Sequence, residues 1–347
     1  MKLLCTLGPA TLNGNFLKKS KSLGISILRL NMSHTKLNQL DKTIKYIRKY
    51  TNVPICIDSE GAQIRTGNLK KEINLKKNSL VKIKKNHNFF YPEDIFDKLK
   101  KGDKLSLDFN SAVILIKKKK KNILIAKVLS SGKVEKNKAV TLNRDIELPP
   151  FTNKDLSAFE VGKKNRIKYY AISFASKKSD ISLAKKILGK NIFLISKIES
   201  FSGLKNSTDI LNYSDAALID RGDLSRQVRL TSIPAWQKKL CNLKKKLKKK
   251  IFIATNLLET VISKKEPTRA EINDIYNSLR DGADGLVLAA ETAIGKNPLI
   301  AIKIIRECMK NFKKNYIFEL SSLSTTSINK QVIIEIKNFK KQFKDLK

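Results

Sequence analysis

The sequence is poor in histidine, cysteine, tryptophan and acid. Two histidines and four cysteines in 347 residues, with no CxxC pair, leave no ligand set for a structural zinc site. Cys5, Cys56, Cys241 and Cys308 are widely spaced in apolar runs and read as core residues, which fits a reducing, cytoplasmic setting. No run of 18 uncharged apolar residues exists, so no membrane span is expected. The opening MKLLCTLGPAT is too brief an apolar stretch for a signal peptide and reads as strand and turn of the folded protein. Neither GxGxxG nor GxxxxGK[ST] occurs, so the dinucleotide and P-loop fingerprints are lacking.

The shortage of acid leaves a formal net charge of +40. Such a field draws anions without selecting among them. Of the 71 basic residues 60 are lysine and 11 arginine, and the lysine runs at 117–121 and 244–250 lie in ordinary segments rich in Ile and Asn. Specific nucleic-acid readout leans on arginine forks and stacking aromatics, and neither clusters here. No specific nucleic acid and no membrane is therefore expected as a partner. The lysines read as solvated faces.

A hydrophobic content of 41% is that of a globular chain. Apolar runs bounded by polar turns recur at 3–8, 25–30, 53–58, 168–174, 192–196, 215–219, 251–255 and 284–288. Runs of this kind read as buried parallel strands, with helices between them, such as 13–23 with Asn13 as N-cap and 36–50. Between the third and fourth, residues 67–150 alternate apolar and polar as in LVKIKK and NILIAKV, the pattern of a small β-rich module. The predicted fold class is α/β: a (β/α)8 TIM barrel with an inserted β-rich lid domain after the third strand. A doubly wound open sheet is the alternative. The expected domains are a barrel of 1–66 and 151–312, a lid of 67–150, and a short C-terminal tail of 313–347. In the tail, ELSSLSTTSINK reads as a linker and QVIIEIKNFKKQFKDLK as a short strand or helix.

Polar residues collect where these strands end. Arg29 and Asn31 close the second, Asp58 the third, Ser173 the fourth, Lys197 and Glu199 the fifth, Asp223 the sixth, Thr255 the seventh and Glu291 the eighth. Barrel enzymes build their sites at this carboxyl-terminal rim. Glu199 in SKIES and Asp223 in DRGDL are two carboxylates on neighbouring strands, a pair that suits one Mg²⁺ with positions left for substrate oxygens. Lys197 and Arg221 beside them suit an anionic substrate.

These segments resemble the pyruvate kinase family over residues 2 to about 312. The resemblance is carried by CTLGPAT (5–11), LRLNMSH (28–34), IDSEGAQIRTG (57–67), LPPFTNKD (148–155), SKIES (196–200), DRGDL (220–224), IATNLLE (253–259), EPTRAE (266–271) and LAAET (288–292). It implies transfer of the phosphoryl group of phosphoenolpyruvate to ADP, giving pyruvate and ATP in glycolysis, with Mg²⁺ (or Mn²⁺) and K⁺ as cofactors. By resemblance, Glu199 and Asp223 ligate Mg²⁺. Lys197 and Arg29 meet the phosphoryl group, and amides at Gly222 and Asp223 hold the substrate carboxylate. Thr255 lies near the enolate carbon and helps deliver its proton through water. Asn31, Ser33, Asp58 and Ser59 ligate K⁺, and His34, Arg65 and Lys154 contact the nucleotide.

The chain departs from the family at several points. Ser59 stands for a Thr and Gln63 for a Glu or Lys that tracks potassium dependence. Ala289 and Ala290 replace Ser and Gly, and Ser176 replaces an Arg. Asp108-Phe109-Asn110 lacks the lid's paired acids and Gly. Asp220 replaces a small residue, and a pair with Arg221 is the expected use of its charge. A degenerate relative acting as a binding or scaffold protein is the open alternative. The family's regulatory domain has no counterpart in the residues after Asn311, so the expectation is hyperbolic kinetics and a homodimer through the barrel, or a monomer.

Overall fold

The computed structural model describes residues 1–61, 63–108, 111–144 and 146–322. Phe109, Asn110 and residues 323–347, with the linker and strand-or-helix readings made for that last stretch, lie outside the described residues. Contacts divide the chain into two units, Met1–Glu60 with the chain from Phe151 on, and Gly61–Pro150.

The larger unit is a closed barrel of eight parallel strands: β1 (Lys2–Thr6), β2 (Ile27–Asn31), β3 (Ile55–Asp58), β4 (Tyr169–Ile172), β5 (Phe193–Ile198), β6 (Ala216–Asp220), β7 (Lys250–Ala254) and β8 (Gly285–Leu288). Each pairs with its sequence neighbours, and β8 pairs with β1 to close the ring. The open-sheet alternative is thereby excluded.

Because side chains alternate along a strand, every strand has an inward and an outward row. The inward row forms one core cluster: Leu4, Ile27, Cys56, Ala171, Ile195, Ala216, Leu218, Phe252, Ala254 and Val287. The outward row packs on the helices in a larger cluster that includes Leu28, Ile57, Ile172, Leu194, Ala217 and Ile219. With both faces buried, the strands read as continuous apolar runs.

Helix starts follow their caps. Asn13 Oδ1 accepts from Phe16 N at 3.0 Å and opens the helix Gly14–Lys19, shorter than the predicted 13–23. Thr152 and Asp155 form a capping box that opens Asn153–Lys164, and Thr268 and Glu271 do the same for Arg269–Arg280. The last helix runs from Pro298 to Ser322, so Glu319–Ser322, read from sequence as linker, are helical. Among the described residues no helix is long and apolar enough to cross a membrane.

The smaller unit is β-rich. A five-stranded antiparallel sheet orders Val140–Leu142, Lys104–Leu107, Ala112–Lys120, Ile123–Ser130 and Leu80–Lys84. Its own core includes Ile83, Leu105, Ile114, Ile116, Leu124 and Val128. Arg144 secures one edge of that unit through Asp103, with Nε to Oδ1 at 2.7 Å.

Candidate active site

The inward rows do not end with the apolar cluster. Ile27 is followed by Arg29 and Asn31, Cys56 by Asp58, Ile195 by Lys197 and Glu199, and Leu218 by Asp220. Period two therefore aims one charged side chain after another into the same mouth of the barrel. Four of them are almost fully buried: Arg29 4% exposed, Asp58 0%, Lys197 5% and Glu199 1%.

Lys197 stands at the centre. Its Nζ lies 2.7 Å from Glu199 Oε1, 3.5 Å from Asp58 Oδ2 and 3.7 Å from Asp220 Oδ2, and donates to Ser173 Oγ at 3.1 Å. Burial works against its charge, but Asp58, Glu199 and Asp220 outweigh burial and hold the ammonium well above the usual lysine range. Arg29 lies beside it, with Nη1 3.2 Å from Asp58 Oδ2 and Nε donating to Thr6 Oγ1 at 3.0 Å. Two fixed cations thus share Asp58.

Glu199, Asp220 and Asp223 each bring a carboxylate oxygen within 4.8 Å of the others. Glu199 Oε2 accepts from Phe174 N at 2.7 Å, whereas Oε1 makes an ion pair with Lys197 and no directed hydrogen bond. Burial raises the Glu199 carboxyl, Lys197 pulls it back, and Asp220 and Asp223 add to the rise, which carries it to about 8. Crowded carboxylates of this kind are relieved by a divalent cation. The donor set is all hard oxygen, so the residues present fit Mg²⁺ or Mn²⁺. Asp223 is steadied by Arg226, Nη1 to Oδ1 at 3.0 Å.

The expected pair of Asp220 with Arg221 does not form. Asp220 and Arg221 are successive residues and point to opposite sides of the chain. Arg221 Nη1 pairs with Asp274 Oδ1 at 2.7 Å, while Asp220 turns inward and accepts from Thr255 Oγ1 at 2.5 Å. Burial raises the Asp220 carboxyl, but Lys197 and the Thr255 bond lower it further, leaving it below the usual carboxylate range. Gly222 is the second residue of a one-turn helix, Arg221–Leu224, and a Cβ on it would lie 2.6 Å from Thr255 Cγ2.

The residues that the resemblance gives to K⁺ lie at and just beyond the ends of β2 and β3, where Asn31 is in register with Asp58. Asn31 Oδ1 accepts from Ser33 N at 2.9 Å. Ser59 takes Ser173 N on its hydroxyl at 2.9 Å and Ser173 Oγ on its carbonyl at 2.7 Å. A carbonyl oxygen has two lone pairs, so these oxygens retain capacity for a monovalent cation. Of the nucleotide residues, His34 follows the same loop, its N–H on Asn31 O at 3.1 Å, and Lys154 Nζ donates to Met32 O. Arg65 lies in the smaller unit, where Nη1 donates to Asn137 O at 3.0 Å. Glu291 is not part of the cluster. It accepts from Leu258 N at 3.2 Å and Ala289 N at 2.8 Å and so holds two loops. Sequence reading missed the third carboxylate of the cluster and the place of Ser173, whose Oγ accepts from Lys197 and lies 3.3 Å from Asp58 Oδ1. Both were legible from strand parity, since Ser173 and Asp220 extend inward rows.

The chain matches the family model described as pyruvate kinase, barrel domain, over residues 1–302. It is 33% identical over 338 residues to the pyruvate kinase of Thermotoga maritima, covering 91% of this chain and 72% of that one. It is 30% identical to plastidial pyruvate kinase 2 of Arabidopsis thaliana, over 88% of this chain and 55% of the relative. Against the pyruvate kinase of Chlamydia muridarum the figures are 28%, 92% and 70%. The chain thus spans between 55% and 72% of the length of these relatives.

Proposed function

We infer the reaction from one premise: the chain belongs to the pyruvate kinase family. We propose that it transfers the phosphoryl group of phosphoenolpyruvate to ADP, yielding pyruvate and ATP, as a step of glycolysis in the cytoplasm. The observation that carries this reading is Lys197, a buried ammonium 2.7 to 3.7 Å from three carboxylates. A cation held so firmly in a nearly dry site stabilises negative charge far better than one in water.

Phosphoryl transfer asks the protein for positioning and electrostatic stabilisation. In this reading Lys197 meets the phosphoryl oxygens and the enolate oxygen that is left behind. Arg29 holds the phosphate from the neighbouring strand. The Gly222 and Asp223 amides receive the substrate carboxylate, and Thr255 stands by the enolate carbon, where a water delivers the proton. Glu199 and Asp223 would hold Mg²⁺ or Mn²⁺. Bound there, it would supply Lewis-acid neutralisation of negative charge on the substrate. Asn31, Ser33, Asp58 and Ser59 are assigned to K⁺. His34 and Lys154 are assigned to the nucleotide, and Arg65 keeps the role that the resemblance gives it. A homodimer through the barrel, or a monomer, is the proposed assembly.

A lactate-dehydrogenase-coupled assay with phosphoenolpyruvate, ADP, Mg²⁺ and K⁺ tests the reading. Wild type should turn over, and Lys197→Met should stay folded while kcat falls by roughly 10²-fold or more. Near-full turnover in that variant would remove the central claim.

A further inference from the structure

Asp220 is an acid where the resemblance expects a small residue, and the two-carboxylate metal reading does not need it. Its position on β6 explains its aim, since Ala216 and Leu218 fill the barrel interior below it. Its nearest contact is Thr255, just beyond β7.

Thr255 is strained. Its φ is +76°, in the left-handed region that a β-branched residue occupies only when surroundings hold it there. Three contacts do so. Arg221, anchored on Asp274, donates from Nε and Nη2 to the Thr255 carbonyl at 3.2 and 2.8 Å. Gly222 leaves room for the methyl, where a Cβ would lie 2.6 Å away. The hydroxyl donates to Asp220 Oδ1 at 2.5 Å. The first fixes the backbone, and the second only makes room for the methyl. Only the third holds the side chain itself, fixing the hydroxyl and its hydrogen.

A threonine hydroxyl has one hydrogen and two acceptor sites, and a carboxylate only accepts. The hydrogen is therefore committed to Asp220, and Oγ1 has only lone pairs to offer elsewhere. We propose that Asp220 is a positioning residue for Thr255, taking its hydroxyl hydrogen so that Oγ1 meets the ligand side as an acceptor that holds a water, and not as a donor. The proposal rests on the proposed reaction only in placing Thr255 beside the reacting enolate.

The test uses Asp220→Ala, Asp220→Asn and Thr255→Val, alone and combined. Crystal structures should show the Thr255 side chain rotated away in Asp220→Ala and kept in place in Asp220→Asn, whose amide oxygen can accept the same bond. In the coupled assay Asp220→Ala should lower kcat roughly tenfold while KM for phosphoenolpyruvate stays within about twofold. Asp220→Asn should recover part of that loss. In the Thr255→Val background, Asp220→Ala should add nothing, because the two residues act as one unit. An unmoved Thr255 in Asp220→Ala, or fully additive losses, would overturn the proposal. So would a rise in Mg²⁺ requirement for Asp220→Asn matching that of Glu199→Gln, which would assign Asp220 to the metal. If wild type turns over no phosphoenolpyruvate, the proposed reaction fails by itself, and the crystal structures still decide the role of Asp220.

Discussion

At the scale of single residues the site is a balance of buried charge. Arg29, Lys197 and Arg226 bring three cations, and Asp58, Glu199, Asp220 and Asp223 bring four carboxylates, in a space where unpaired charge is expensive. The formal excess is negative, which suits the divalent cation proposed for this site. Glu199→Gln and Asp223→Asn should each raise the Mg²⁺ concentration needed for half-maximal activity by roughly tenfold or more, since each removes one of the two proposed carboxylate ligands. A Mg²⁺ titration of each variant checks this, and curves that overlay wild type would move the metal elsewhere.

At the scale of elements, strand parity and helix caps do most of the positioning. The helix Asn153–Lys164 starts at Thr152 because Asp155 accepts from Thr152 N and its hydroxyl, each at 3.0 Å, while Thr152 accepts from Asp155 N at 3.1 Å. Asp155 also accepts from Glu60 N at 2.6 Å, two residues beyond the end of β3. One buried carboxylate therefore ties the helix start to the strand that presents Asp58, and sets the first turn that carries Lys154. Asp155→Ala should destabilise the larger unit by about 2–3 kcal/mol, combining a lost cap with a buried amide left without this acceptor. Thermal melting checks it, with a drop of a few degrees expected, and an unchanged melting temperature would mean that water replaces the carboxylate at no cost.

At the scale of the whole molecule, a +40 chain holds an acid-rich barrel mouth. Most of the lysine runs are solvated, as at Lys117, Lys118, Lys120 and Lys121, all exposed. Lys244 is the exception: buried, with Nζ 2.8 Å from Asp284 Oδ2. An exterior of this sign speeds the approach of a polyanionic substrate, and salt screens that attraction. With Mg²⁺ and K⁺ fixed, raising ionic strength from about 0.05 to about 0.3 M with tetramethylammonium chloride should lower kcat/KM for phosphoenolpyruvate several-fold. A flat response would show that the surface charge plays no part in substrate capture.

Much of this was legible in the chain itself. Eight apolar runs, their spacing and the polar residue after each follow from local rules, because a buried strand must be apolar and its side chains alternate. Those rules carried Arg29, Asp58, Lys197, Glu199, Asp223 and Thr255 to one rim. Asn13 as a cap was equally local. Which charges meet was not. Asp58 and Lys197 are on β3 and β5, with β4 between them, yet come within 3.5 Å because the sheet curves and both side chains face the barrel interior. Asp220 looked like the partner of Arg221 by adjacency in sequence. The fold gave Asp220 to Thr255 and Arg221 to Asp274, because neighbours on a strand face opposite ways and ion pairs are chosen by distance in space. Sequence determined the rows, and tertiary closure decided the pairs across them.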